Sequence, residues 1–216
     1  MSDLPLLLGH RGARSSTQVP ENTLASFDLA LQHGCDGFEF DVRLTSCGRS
    51  VLCHDPKVDG VEVSRATADQ LLHLPLLEDV LHRYCQRAFL DIELKVSGLE
   101  SKVLNSLREY RIEEDYVVSS FLPQVVIELK TRSAKVRTGI ICDKPGQLEC
   151  WRETNVEYVI PHYSLVTQAF VQEVHSAGSK LLTWTVNNRK TMLLLADWRV
   201  DGIISDDTEL LAQTFG

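Results

Sequence analysis

Short apolar runs alternate with amphipathic stretches along the whole chain. Runs at 4–9, 37–44, 50–54, 88–96, 115–120, 135–142, 157–161, 180–186 and 201–205 have the length and composition of strands. The stretches between them, 22–33, 76–84, 100–110, 123–131, 147–154, 167–177 and 188–198, carry apolar residues near helical spacing, and a last short helix is predicted over 207–214. In the first of them Leu24, Phe27 and Leu31 recur on one face and Gly34 follows as a stop. If 50–54 extends or pairs with the second strand, eight strand-then-helix units remain. Strands alternating with helices imply a parallel sheet, and eight such units predict a single (β/α)8 barrel domain over 1–216. A doubly wound sheet needs fewer strands and usually a glycine-rich first turn, and no GxGxxG follows the first strand.

Composition narrows the function classes. Of 216 residues 44% are hydrophobic and 24% charged, and the formal net charge is −8. That balance argues against nucleic-acid binding and against a polybasic membrane patch. A small anionic ligand stays open, because a local cation inverts the field within one pocket. The start, Met1-Ser2-Asp3-Leu4-Pro5-Leu6, lacks a positive region and a small-residue cleavage site, so it reads as a first strand rather than a leader. No stretch approaches the roughly 18 apolar residues of a membrane span. The six cysteines (Cys35, Cys47, Cys53, Cys85, Cys142 and Cys150) show no CxxC pair. They read as free thiols, and a cytoplasmic protein is expected.

In such a barrel the chemistry lies at the C-terminal ends of the strands. The second predicted strand carries Glu39 and Asp41, and the one at 88–96 carries Glu93 and Lys95, each pair on one face by the period of two. Phe38, Phe40, Val42, Ile92 and Leu94 take the opposite, helix-facing side, which leaves three acids toward the lumen or its mouth. Two carboxylates about 4 Å apart repel by roughly 4 kcal/mol at an effective dielectric of 20. Converging acids therefore call for a cation. Oxygen-only ligands suit Mg²⁺ or Ca²⁺, with Mn²⁺ in the same group. An internal ion-pair network with Lys95 and no metal is the competing arrangement.

His10 ends the first strand and His54 follows the run at 50–54; two histidines beside an acidic cluster suit general acid and base work. Arg11 has the fork to grip a phosphate, or else to pair with one of the acids. The other histidines, His33, His73, His82, His162 and His175, fall mostly in predicted helices or at their ends and read as surface residues. In Pro20-Glu21-Asn22-Thr23, Asn22 or Thr23 reads as a helix N-cap. Trp184 in Thr183-Trp184-Thr185 suits either an apolar wall for a substrate or strand–helix packing.

These residues resemble the glycerophosphodiester phosphodiesterase family. The resemblance runs through Gly9-His10-Arg11-Gly12, Pro20-Glu21-Asn22-Thr23, Glu39-x-Asp41-Val42, His54-Asp55, Glu93-x-Lys95, Trp184-Thr185-Val186-Asn187 and Asp201-Gly202-Ile203-Ile204-Ser205-Asp206, in order and over essentially the whole chain. It implies a TIM barrel that hydrolyses glycerophosphodiesters to sn-glycerol 3-phosphate and an alcohol. It implies Glu39, Asp41 and Glu93 as ligands of one divalent cation, Mg²⁺ or Ca²⁺, and His10 and His54 as the acid–base pair. Arg11 and Lys95 would bind the phosphate, with Glu21 supporting the residues that meet the ion and the phosphate. A small-molecule substrate is expected, without nucleic acid or stable membrane association.

The chain departs from the family in three places. The stretch between Asp55 and Leu76 is short where the family commonly carries a longer insertion capping the site, which implies a more open site. Cys47 stands where an acidic residue is usual, and Asp207-Thr208 replaces a proline-bearing segment. A lysophospholipase D-like or phospholipase C-like enzyme on the same barrel is the nearest rival, but no amphipathic membrane-binding segment supports it. A noncatalytic phosphodiester-binding module is the other; against it, all three acids and both histidines are present.

Overall fold

The computed structural model describes residues 4–216, so the first three residues of the N-terminal reading lie outside it. In chain order the elements are β1 (Leu6–His10), α1 (Leu24–Gln32), β2 (Gly37–Leu44), β3 (Ser50–Leu52), β4 (Lys57–Val58), β5 (Val61–Glu62), α2 (Leu77–Tyr84), β6 (Phe89–Leu94), α3 (Glu100–Glu109), β7 (Tyr116–Ser120) and α4 (Pro123–Arg132). They continue with β8 (Thr138–Cys142), α5 (Cys150–Thr154), β9 (Tyr158–Pro161), α6 (Gln168–Ser176), β10 (Lys180–Thr183), α7 (Arg189–Asp197), β11 (Gly202–Ser205) and α8 (Thr208–Phe215).

The strands β1-β11-β10-β9-β8-β7-β6-β2 follow one another around a sheet that the β1–β2 pairing closes. All eight neighbouring pairs are parallel, and each strand leads to a helix. The expected (β/α)8 barrel is thus the fold. The extra run at 50–54 is β3, which pairs antiparallel with the end of β2 through Val42 and Leu52 and stands outside the closed sheet.

Period-two alternation builds the two faces. Phe38, Phe40 and Val42 point outward into the helix layer, where the Phe27 and Phe38 rings stack with centroids 4.2 Å apart. Tyr84 meets Phe38 edge-on and donates its hydroxyl to the Leu24 carbonyl, so this buried aromatic keeps its polar end satisfied. Inside, Leu8, Phe89, Val117, Ile141, Tyr158, Ile160, Leu182 and Ile204 fill the floor. The polar residues sit above them, toward the C-terminal ends of the strands.

Turn chemistry sets where β1 ends. A Cβ on Gly9 would lie 2.6 Å from the Gly12 carbonyl oxygen, so only glycine lets the chain fold back on itself immediately beside His10. Helix α1 starts at Leu24, with the Thr23 hydroxyl accepting from the Ser26 amide; Thr23 is the N-cap and Asn22 is not. The predicted helix over 147–154 is shorter and broken: Pro145 opens a 3-10 turn through Gln147, and α5 covers only Cys150–Thr154. Between β3 and α2 the chain forms the β4–β5 hairpin and two 3-10 turns around Val51, Cys53, Val63, Ala66 and Leu71. This short segment has its own apolar cluster. All six cysteines are free; Cys35, Cys53 and Cys142 are buried and Cys47 is exposed.

Candidate active site

The loop after β1 folds tightly. Arg11, Gly12 and Asn22 all have positive φ, and for Arg11 and Asn22 that conformation carries a backbone cost. Hydrogen bonds hold it there. The Arg11 amide donates to Glu39 Oε2 at 3.0 Å, and the Asn22 amide donates to the Arg11 carbonyl. Asn22 also grips Asp41 twice: its Nδ2 donates to Oδ2 at 2.8 Å, and its Oδ1 accepts the Asp41 amide at 3.1 Å.

Glu39 and Asp41 on β2 and Glu93 on β6 converge, each offering a carboxylate oxygen within 4.8 Å of the others. They are 4%, 1% and 7% exposed. Lys95 Nζ lies 2.6 Å from Glu93 Oε1 and 3.2 Å from Asp41 Oδ1. Arg11 Nε lies 3.1 Å from Asp41 Oδ2 at an angle too bent for a hydrogen bond, while its Nη1 donates to Glu21 Oε1 at 2.8 Å. A fourth acid, Asp91, is fully buried below them; its Oδ1 accepts from the Ser119 hydroxyl, and its Oδ2 has no partner.

Charge balance decides what this cluster suits. Four buried carboxylates face two cationic side chains, so the site is short of positive charge. Burial, with Asp41, Glu93 and Asp91 nearby, holds the Glu39 carboxyl well above the usual range. Burial also pushes Glu93 up to about 7, although Lys95 opposes it, and pushes Asp91 up to about 7. Asp41 goes the other way: burial raises it, but Lys95, Arg11 and Asn22 together outweigh burial. Glu39 Oε1 is buried without a hydrogen-bond donor, and Asp41 Oδ1 has only the Lys95 ammonium, 3.2 Å away and outside hydrogen-bond geometry. Unmatched buried carboxylate oxygens, all hard donors, fit a divalent cation of the Mg²⁺ or Ca²⁺ kind.

The histidines flank the acids. His10 Nδ1 lies 2.7 Å from Asp206 Oδ1, and its Nε2 lies 3.8 Å from Glu39 Oε2. Asp206 also accepts from Arg14 Nη1 at 3.1 Å and Asn187 Nδ2 at 2.7 Å. Burial works against these partners, yet they hold its carboxyl below the usual range. An ionised Asp206 only accepts, so His10 donates from Nδ1 and turns Nε2 toward the acids. His54 Nδ1 sits 2.8 Å from Asp55 Oδ1, Arg43 Nε donates to the His54 carbonyl, and burial pushes the imidazole pKa down. His10, Arg11, Glu39, His54, Glu93 and Lys95 line one side of a cavity of about 90 Å³; Phe121, Ile141, Ile160, Trp184 and Ile204 line the other. A larger groove of about 580 Å³ near Tyr116 and Arg137 lies at the opposite ends of the strands and includes none of these residues.

Trp184 stands at the edge of the cavity. Its indole N–H donates to the Ile160 carbonyl, and its ring packs edge-on against Phe121 and His162 while bordering the cavity. Two of the histidines read as surface residues are half-buried instead. His33 pairs with the Thr208 hydroxyl, and His162 stands at the mouth against Trp184 because the chain turns there directly after β9. Asn22 is the partner of Asp41 rather than a cap. Asp91 was missed, though period two from Glu93 places it on the same face. Asp206 stood in the motif without a role, and Arg14 had no mark in the sequence.

Comparison with known proteins places the chain in a family. Residues 10–210 fit the model of the Glycerophosphoryl diester phosphodiesterase family, and the chain belongs to it. It is 30% identical over 237 aligned positions to a glycerophosphodiester phosphodiesterase of Caldanaerobacter subterraneus subsp. tengcongensis, covering 95% of this chain and 96% of that one. An uncharacterized protein of Bacillus subtilis is 37% identical over 244 positions, covering 94% and 95%. Among solved structures, an Oleispira antarctica phosphodiesterase in complex with the product sn-glycerol-3-phosphate superposes with a TM-score of 0.85 at 24% identity, over 98% of this chain and 96% of that one. Among the described residues no helix is long and apolar enough to cross a membrane.

Proposed function

We propose that this protein hydrolyses glycerophosphodiesters to sn-glycerol 3-phosphate and an alcohol. The observation that carries the reading is the convergence of Glu39, Asp41 and Glu93 beside two cationic side chains and two histidines at the mouth of a barrel of this family. Glu39, Asp41 and Glu93 would hold one divalent cation, Mg²⁺ or Ca²⁺. When bound, that ion supplies Lewis-acid neutralisation of the phosphate's charge.

The chain's own residues do the remainder. Arg11 and Lys95 bind the phosphate oxygens and stabilise the charge that develops on them. Glu21 fixes the Arg11 guanidinium through Nη1. His10, with its Nε2 toward the acids, and His54 share the two proton transfers: one takes the proton of the attacking oxygen and the other delivers a proton to the leaving alcohol. The attacking oxygen is water or the neighbouring glycerol hydroxyl, and a cyclic phosphate in quenched reactions identifies the second. Trp184 and Phe121 give the organic part of the substrate an apolar surface.

The test is release of glycerol 3-phosphate from glycerophosphocholine and glycerophosphoethanolamine with Mg²⁺, Ca²⁺ or EDTA. Metal-dependent release, abolished by Glu39→Ala and lowered about 10²- to 10⁴-fold by His10→Ala or His54→Ala, is expected. No release with either metal from folded protein overturns the reading.

A further inference from the structure

One exposed side chain joins the two halves of the site without entering the cavity. Arg14, whose side chain is 39% exposed, lies in the loop after β1. Its Nε donates to Glu21 Oε2 at 2.7 Å, and its Nη1 donates to Asp206 Oδ1 at 3.1 Å. Each of those carboxylates holds one functional group with an oxygen: Glu21 Oε1 takes Arg11 Nη1, and Asp206 Oδ1 takes His10 Nδ1. The contacts form one continuous chain, His10–Asp206–Arg14–Glu21–Arg11.

We propose that Arg14 is a positioning residue that couples the orientation of the His10 imidazole to that of the Arg11 guanidinium. The proposal rests on the functional reading above for what those two groups do. Its planar fork is what the arrangement requires, since two donors at a fixed spacing reach two separate carboxylates, whereas an ammonium is a single point charge. Glu21 and Asp206 come from the β1–α1 loop and the end of β11, so the bridge spans the seam where the first and last strands pair.

A role in holding the loop alone does not account for these contacts. The backbone already ties the loop down: the Ser15 amide donates to the Asp206 carbonyl at 3.0 Å, the Ala13 amide to the Ser26 carbonyl at 3.1 Å, and the Asn22 amide to the Arg11 carbonyl at 3.0 Å. Ion pairs of a side chain this exposed add little to folding. Their effect falls instead on two groups whose placement governs turnover, where small displacements are costly to the rate.

The experiment compares wild type, Arg14→Ala, Arg14→Lys, Asp206→Asn and the Arg14→Ala/Asp206→Asn double variant. Arg14→Ala is expected to lower kcat/KM on glycerophosphocholine by about 10- to 100-fold, with the loss in both kcat and KM, while the melting temperature moves by less than about 2 °C. Arg14→Lys restores only part, and the double variant loses less than the product of the two single losses, because Asp206→Asn already breaks one of the two contacts of Arg14. An Arg14→Ala activity within about twofold of wild type, or losses that multiply in the double variant, overturns the proposal. If the wild type turns over no glycerophosphodiester, the functional reading fails on its own, and the downfield His10 Nδ1–H resonance then decides. That line moves or broadens in Arg14→Ala if the coupling is real, and its invariance overturns it.

Discussion

Asp206 and His10, 196 positions apart, meet at 2.7 Å across the seam of the barrel. The register of β1 against β11, with Gly9 opposite Ser205, brings them together. This contact fixes Nδ1 as a donating nitrogen and points Nε2 toward Glu39, a choice that an isolated imidazole leaves open.

Asp206→Asn tests the contact. Asn187 Nδ2 already donates to Asp206 Oδ2, so an amide there must turn its NH₂ toward Arg14 and His10, and the acceptor is lost. We expect kcat to fall by about 10- to 1,000-fold in steady-state assays. Stability should follow pH with a definite sign. The folded carboxyl lies below its unfolded value, so its contribution is present at neutral pH and is lost as pH falls below about 4. Denaturant melts should show the variant less stable than wild type at pH 7 and the gap narrowing at pH 3.

Cation binding should depend on pH in the opposite sense to simple screening. Without a cation Glu39 and Glu93 hold protons more tightly than ordinary carboxyls, with Glu93 at about 7. A divalent ion must displace those protons, so its affinity should weaken as pH drops from 8 to 6. At 100-fold over its Kd, Mg²⁺ or Ca²⁺ should add about 2.7 kcal/mol of stability, and EDTA should remove it. Calorimetric titration at several pH values checks both statements, and Glu39→Gln should abolish the heat.

Asp91 gives a third expectation. It is fully buried, its Oδ2 has no partner, and its carboxyl titrates at about 7. An acid whose folded pKa is raised favours the folded state while protonated, and that benefit is lost as pH rises through about 7. Asp91→Asn retains an acceptor for the Ser119 hydroxyl and cannot ionise. In EDTA the variant should therefore gain stability relative to wild type between pH 5 and pH 8, read from urea midpoints. No pH dependence in the difference would mean that Asp91 ionises as freely as in the unfolded chain.

How far these features were legible in the sequence follows from the range of the interactions. Alternation along β2 and β6 placed Glu39, Asp41 and Glu93 on one face because that rule needs only neighbouring residues. Asp91 obeys the same rule and was within reach of it. The contact of Asp206 with His10 depends on barrel closure, and the Arg14 bridge on the path of a loop, so neither leaves a local pattern. Asn22 misled for a different reason. Asparagine beside threonine before a helix suits capping, but Thr23 took the cap and freed Asn22 for Asp41.

Asn22 also separates two energetic terms that usually move together. Its φ of 55° is tolerable for asparagine and glycine and strained for alanine, while both of its contacts with Asp41 are buried. Asn22→Gly removes the hydrogen bonds and relieves the backbone. Asn22→Ala removes the same bonds and adds strain. Leaving Asp41 Oδ2 and the Asp41 amide without these partners should cost about 2–4 kcal/mol in either variant, and alanine should cost about 1 kcal/mol more than glycine. Urea denaturation of the pair measures the difference directly. Equal losses would place the whole cost in the Asp41 contacts, and a larger loss in glycine would show that the positive φ is not what asparagine is there to supply.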